Sequence, residues 1–404
     1  MGENIVSALG ACMKRLIGFT AALCLLAILV GCGGVTSNGT LAYVSNSAGT
    51  GFTVFTVNTD GTLTKSNISP QNVQEPPKML QFSPNGKWAF FLDATGSNVF
   101  AYTRDGDGNL SLKIDSYPVG PGASSLVVAP SNNFLYVALP VTKELAIFAI
   151  DPSTGILTQV GQNLLVGYDI EQLVLAPNGV LFGLSTVGQA VIPFTLTAST
   201  GVATQQIPTP VGVSPSFLVI SPNGQFAYVL DSASVFKIPG TNLSTPNIFG
   251  FTVGATGTLT AMPDVTFQEN PNSIGQYPSS PFGGAISSDN RYLFVANKNS
   301  HNISVFQISS TSGELSEVLG STSIINGVSV SSASPFDCGT GCSTPSFVTI
   351  PSGNNALFVL DPNAGTNKAG AIFQFQIDQN TGKLRPQNPA SVVTEGSPTW
   401  ITIR

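Results

Sequence analysis

Two stretches of this chain share one pattern of apolar and polar positions. Phe82-Ser83-Pro84-Asn85-Gly86-Lys87-Trp88-Ala89-Phe90-Phe91-Leu92-Asp93 lines up with Ile220-Ser221-Pro222-Asn223-Gly224-Gln225-Phe226-Ala227-Tyr228-Val229-Leu230-Asp231. In each, a Pro-Asn-Gly turn separates two short apolar runs, which reads as a hairpin followed by a buried strand. Taking the central aromatic of the second run as an anchor gives Tyr43, Phe90, Tyr136, Phe182, Tyr228, Phe294 and Phe358, spaced by 47, 46, 46, 46, 66 and 64 residues. A second aromatic follows 12 residues later in five units, at Phe55, Tyr102, Phe148, Phe194 and Phe306. A turn comes next, as in Asp151-Pro152-Ser153-Thr154-Gly155. An apolar run also precedes the anchor strand, as in Pro215-Ser216-Phe217-Leu218-Val219-Ile220. Each unit therefore predicts strand A, a Ser-Pro-Asn-Gly-like turn, strand B with the anchor, strand C with the second aromatic, a glycine turn and strand D.

Helical repeats need apolar positions every 3.6 residues, and that spacing is missing. Seven units of four strands with a period near 46 predict an all-β fold, a seven-bladed β-propeller with four-stranded antiparallel blades, over residues 41–404. The first unit opens at strand B, Leu41-Ala42-Tyr43-Val44, and Ser397-Pro398-Thr399-Trp400-Ile401-Thr402-Ile403 reads as a strand A with no strand B after it. The C-terminal strand is thus expected to complete blade one and remove two free sheet edges. Four stretches exceed the regular spacing, at 232–250, 263–281, 320–345 and 362–370. All are expected in B–C or D–A connections, which emerge on one face because strands alternate in direction. Insertions gathered on one face of a repeat fold mark a binding face, here on blades five to seven.

Composition sharpens the picture. The chain is 42% hydrophobic and only 9% charged, against roughly 25% charged in ordinary soluble domains. A net charge of -6 leaves no basic surface for nucleic acid. The single histidine, His301, excludes every motif that needs two. Asp105-Gly106-Asp107-Gly108-Asn109 opens like a calcium loop, but Leu110 and Ser116 stand where Gly and Glu are needed. No metal and no cofactor are expected. Lys14 and Arg15 precede an apolar run, Leu16 to Val30, too short to span a membrane. A basic start, a short apolar core and a small residue before the cut describe a secretory signal. Its end, Leu29-Val30-Gly31-Cys32, resembles the bacterial lipobox, which implies cleavage before Cys32 and lipid on its thiol. Met13 opens a more ordinary signal than Met1. The expected layout is a signal peptide over 1–31, lipidated Cys32 with a linker to residue 40, and the propeller from 41. The expected address is the extracytoplasmic cell envelope. By resemblance to sorted lipoproteins, Gly33 favours the outer membrane. Outside the cytoplasm the close pair Cys338 and Cys342 is expected to form a disulfide.

The Ser-Pro-Asn-Gly turn, the Tyr-Val-x-Asn/Asp strand end and the Thr-Gly-x-Leu turn resemble the seven-bladed lactonase family, which includes the propeller-type 6-phosphogluconolactonase. The likeness covers nearly all of 41–404 and implies the same propeller with lactone hydrolysis as an activity. The residues that carry catalysis in the family depart from it here. Gly120-Pro121-Gly122-Ala123-Ser124-Ser125 stands where the family has Gly-Pro-His-x-His-Ser, and Ser214-Pro215-Ser216-Phe217-Leu218 where it has Gly-Pro-Arg-His-Leu. Ala296-Asn297-Lys298-Asn299-Ser300-His301-Asn302-Ile303 keeps part of Ser-Asn-Arg-Gly-His-x-Ser-Ile, with lysine for arginine and the histidine displaced by one.

Lactone hydrolysis needs a base for water and a cation or donors for the oxyanion. The candidates are Lys298, His301 and Glu171, a carboxylate at the start of a strand A and so beside the central channel. Asn46, Asp93, Asp231, Asn297 and Asp361 each follow an anchor by three residues. They form a ring at the B–C end, where Asn and Asp bond turn amides or face a ligand. Two functions are expected from this pattern. The first is a monomeric, membrane-tethered binding or scaffold propeller that takes a protein, glycan or small molecule through blades five to seven. The second is a lactone hydrolase with a divergent site.

Overall fold

The computed structural model describes residues 39–233, 248–262, 280–318, 322–325, 328–331, 334–365 and 369–404. Residues 1–38, where the signal peptide and lipidated Cys32 are expected, and most of the insertions at 232–250 and 263–281 lie outside them. Every regular element among the described residues is a β-strand, and seven antiparallel sheets follow the order A-B-C-D. Strand B of blade one (Leu41–Asn46) pairs with Pro398–Ile403, placing Tyr43 opposite Thr402 and Val44 opposite Ile401. Leu41 and Arg404 exchange both backbone hydrogen bonds at 2.7 Å. The C-terminal strand thus completes blade one and closes the ring.

The core is seven wedges, each between adjacent blades. Strand B is buried on both faces, which is why it reads as an unbroken apolar run rather than an alternating one. Its anchor faces the next blade, and the strand-C aromatic faces the previous one. Tyr43 therefore shares a cluster with Tyr102, Phe90 with Phe148, and Tyr136 with Phe194. Phe182 likewise meets Phe251, Tyr228 meets Phe306, Phe294 meets Phe375, and Phe358 meets Phe55 across the closure. Fully burying one such ring contributes roughly 1.5–3 kcal/mol.

Two further devices fix the angle between blades. The C–D turn of each blade sits on strand B of the blade before it. Tyr43, Tyr136 and Tyr228 donate their hydroxyls to the carbonyls of Gly108, Gly201 and Gly313 at 2.5, 2.9 and 2.6 Å. Burial pushes the Tyr136 pKa up to about 12, so its hydroxyl remains a donor throughout the ordinary pH range. Gly201 has φ +73°, and a Cβ there would lie 2.3 Å from the Phe134 ring. On the same face, the Ser-Pro-Asn-Gly turn between strands A and B is held from within and from the neighbouring blade. Ser83 Oγ donates to Asn85 Oδ1 at 2.7 Å and accepts the Trp88 amide at 3.0 Å. The Asn85 amide donates to Asn132 of blade three at 2.7 Å.

The longest insertion departs from its expected position. A hairpin, Thr322–Ile325 with Val328–Ser331, lies between two halves of strand D of blade six, Leu315–Glu317 and Phe336–Asp337. Both halves pair with the same strand C, Asn302–Ile308. The excursion therefore leaves from the outer edge of the blade, not from a D–A connection on the mouth face. Strand D is an edge strand, so a break in it costs few ladder bonds. Blades one, three and four break strand D in the same way. Cys338 and Cys342, just past this break, are joined by a disulfide with Cα atoms 5.8 Å apart.

Gly201→Ala should lower the unfolding free energy by about 2–4 kcal/mol, since it adds a Cβ both at positive φ and against Phe134. Tyr136→Phe should cost about 1–2 kcal/mol by stranding the Gly201 carbonyl. Urea unfolding followed by far-UV circular dichroism checks both; no change for Gly201→Ala would mean that the turn does not dock in solution.

Candidate functional site

Strand A lines the central channel, and its second residue is displaced by a bulge in most blades. The register skips one residue between Pro77 and Met79, Ile170 and Gln172, Pro215 and Phe217, and Pro281 and Gly283. On the closing strand, Asn46 faces Pro398 while Ser45 faces Trp400. A bulge re-aims the extra side chain and locally increases twist. Here the extra residues are Lys78, Glu171, Ser216, Phe282 and Thr399. All but Phe282 line a cavity of about 250 Å³ at the channel mouth, with Ser124 of blade three. The next layer down is Met79, Ser125, Gln172, Phe217 and Trp400, with Leu184 behind it.

Most polar groups of this mouth bind the neighbouring blade. Thr399 Oγ1 donates to the Lys78 carbonyl at 2.9 Å, and Lys78 Nζ donates to the Ala123 carbonyl at 3.0 Å. Ser124 Oγ donates to Ile170 at 2.8 Å, and Ser216 Oγ donates to Pro281 at 2.7 Å. One layer deeper, the Gln172 carboxamide both donates to and accepts from the Leu218 backbone. These contacts run from one blade to the next around the channel.

Glu171 differs from its neighbours. Its carboxylate is exposed at the mouth, and among the described residues no hydrogen bond is made to it. Partial burial by the channel wall raises its pKa above the ordinary carboxylate value; the Lys78 charge lowers it and Asp169 raises it further. Burial lowers the Lys78 pKa below that of an ordinary lysine, opposed by Glu171 and Asp93. The two charges sense each other without closing into an ion pair. The ion pairs among the described residues are Lys65–Glu395 and Arg291–Asp289. A cation and a proton-accepting carboxylate thus face one cavity with a gap between them.

The other sequence candidates lie elsewhere. Lys298 places its ammonium 4.6 Å from the centre of the Phe282 ring. His301 is exposed in the B–C turn of blade six at φ +55°, with its carbonyl accepting the Cys338 amide at 3.2 Å. Neither lines the cavity with Glu171. Asn46, Asp93, Asp231, Asn297 and Asp361 are all buried; the three aspartates cap turn amides, whereas the two asparagines bond side chains of strand C. Asp93 accepts the Ser97 and Asn98 amides, Asp231 those of Val213 and Ser214, and Asp361 those of Ser343 and Thr344. The Asn46 amide donates to Thr53, and that of Asn297 donates to Ser304. In blade four Asp169 serves the Val187 and Gly188 amides instead.

Lys78 is the residue that sequence reasoning passed over. A signal for it existed: Pro77-Lys78-Met79 occupies the same place in its repeat as Ile170-Glu171-Gln172 does in blade four. Superposing the strand-A starts would have paired the two charges. Among the described residues no group of three or more metal-ligating side chains occurs.

Comparison with known proteins places this geometry. The family model "Lactonase, 7-bladed beta-propeller" matches residues 34–123 and 251–332. No curated protein sequence matches the chain. A 6-phosphogluconolactonase candidate from Bacteroides uniformis superposes with a TM-score of 0.71 at 15% identity, over 91% of this chain and 100% of its own. The periplasmic gluconolactonase of Pseudomonas aeruginosa superposes with a TM-score of 0.67 at 18% identity, over 90% of this chain and 98% of its own. Identities this low carry the fold and not the chemistry. Seven closed blades and the family match together make this chain a lactonase-like seven-bladed β-propeller.

Proposed function

We propose that the channel mouth is the active site of a hydrolase acting on a small cyclic ester without a phosphate group. The observation that carries this reading is the meeting of Lys78 and Glu171, from strand A of blades two and four, at one cavity. Glu171 is the general base, since a carboxylate with a raised pKa and no hydrogen-bonded partner can take a proton from water. The Lys78 ammonium stabilises the oxyanion that forms on the ester carbonyl. Water oxygen bonds to the carbonyl carbon and its proton passes to Glu171. The ring C–O bond then breaks, and the proton moves from Glu171 to the leaving alkoxide, releasing a hydroxy acid. Lys78 remains a cation throughout. Among the described residues no arginine lines the cavity, which argues for an unphosphorylated substrate, since phosphate is best held by a bidentate guanidinium.

The second reading is a binding or scaffold propeller that uses the loops of blades five to seven. It is supported by the extra chain length there and by the loss of the family's histidines and arginine. The address proposed for either reading is the extracytoplasmic cell envelope, at the outer membrane, with the chain tethered through lipid on Cys32. The Leu29-Val30-Gly31-Cys32 sequence and the Cys338–Cys342 disulfide support it.

Screening purified protein against δ-valerolactone-type esters should reveal turnover above the spontaneous rate. Glu171→Gln should lower kcat by about 10²–10⁴-fold, and Lys78→Met by about 10²–10³-fold. Lactone capture without turnover, unchanged by either substitution, would sink the hydrolase reading in favour of binding. The pH profile of kcat/KM should be a bell. Its acid limb lies above the ordinary carboxylate value, where Glu171 loses its proton, and its basic limb lies below the ordinary lysine value, where Lys78 loses its charge. Cys32→Ala should abolish incorporation of labelled palmitate and move the protein to the soluble fraction. Membrane retention by the variant would contradict the tether.

A further inference from the structure

The lining of the cavity says more about its ligand than the two charges do. Below Lys78 and Glu171 the wall is formed by Met79, Leu184, Phe217 and Trp400. Phe347 extends it: its ring centroid is 4.5 Å from Trp400 and 5.8 Å from Phe217. Phe217, Phe347 and Trp400 all remain partly accessible.

The polar groups among them have little to offer a polyol. Ser124 and Ser216 have given their hydrogens to Ile170 and Pro281. The Trp400 indole N–H donates to Thr402 Oγ1 at 3.0 Å. Gln172 is committed to the Leu218 backbone at both ends of its carboxamide. Ser125 Oγ accepts the Leu173 amide at 3.0 Å. A ring bearing several hydroxyls would leave water for a wall whose side-chain hydrogens are largely committed, and each unmatched group weakens binding. An aliphatic chain meets no such penalty, and each methylene withdrawn from water strengthens binding about fourfold.

Resting on the hydrolase reading of the same site, we infer that the substrate is a lactone carrying an aliphatic chain. The ester lies between Lys78 and Glu171, and the chain lies down the channel against Phe217, Met79 and Trp400. This separates the site from one built for a sugar lactone, where several free donors and acceptors would have to converge on the ring.

Non-hydrolysable lactams test ligand class apart from catalysis. The chain has two tryptophans, so Trp88→Phe leaves Trp400 as the fluorescent reporter. Pentyl-substituted δ-valerolactam should perturb Trp400 emission with a Kd at least about tenfold below that of gluconolactam, about what burial of two methylenes supplies. Phe217→Ala should narrow that gap, as should Phe217→Leu if the alanine variant loses its cooperative transition. Equal or tighter binding of gluconolactam, no response to either lactam, or a gap untouched by both Phe217 variants overturns the inference. Gluconolactone hydrolysis with no alkyl preference overturns it alone and leaves the hydrolase reading standing. Tight alkyl-lactam binding by a protein that leaves the matching lactone intact supports the inference and overturns the hydrolase reading instead.

Discussion

The whole molecule depends on one packing rule: the strand-B anchor of each blade meets the strand-C aromatic of the next. In each blade the strand-C aromatic lies one position past the residue opposite the anchor, as Tyr102 follows Ala101 opposite Phe90 and Phe251 follows Gly250 opposite Tyr228. That register aims one ring forward and the other back. No blade can bury its own pair, so each needs both neighbours, and the sequence of needs ends only when blade seven meets blade one. Phe358 against Phe55 is therefore the same contact as Tyr43 against Tyr102, made across the closure. The Pro398–Ile403 strand lets it form without leaving an edge on either side.

Ring closure also builds the site. Strand A of every blade faces one axis, so its second residue becomes one member of a circle. Hydroxyls and carbonyls in that circle satisfy each other from blade to blade, which holds the channel at a fixed width. Two members carry charge, and they sit two blades apart. In a chain with so few ionisable groups, a lysine and a glutamate in one partly desolvated cavity form a local exception. Their shifts follow from the cavity wall, since burial opposes both charges while each charge supports the other.

The buried Asn and Asp ring illustrates a different use of polarity. Asp93, Asp231 and Asp361 lie close to the mouth in sequence pattern, yet their oxygens cap turn amides that would otherwise go unpaired. They position the loops around the channel. Asp93, Asp231 and Asp361 thus spend their charge on turns, whereas Glu171 is left open at the mouth.

Much of this was legible in the sequence because a repeat fold writes each contact several times. The anchors, the strand-C aromatics, the Ser-Pro-Asn-Gly turns and the ring closure recur at set spacings, and local chemistry dictates each one. Glu171 was legible too, as a charge at the start of a strand A. Its partnership with Lys78 shows only when the strand-A starts of the repeat are superposed, because 93 residues separate the two and the ring is what brings strand A of blades two and four to one axis. The distance of Lys298 and His301 from that cavity was equally hidden, since a motif shared with a family fixes neighbours along the chain and not across the channel. The longest insertion was misplaced for a related reason. Sequence counts residues between anchors, whereas hydrogen bonding to strand C decides whether extra chain leaves from a loop or from the middle of an edge strand.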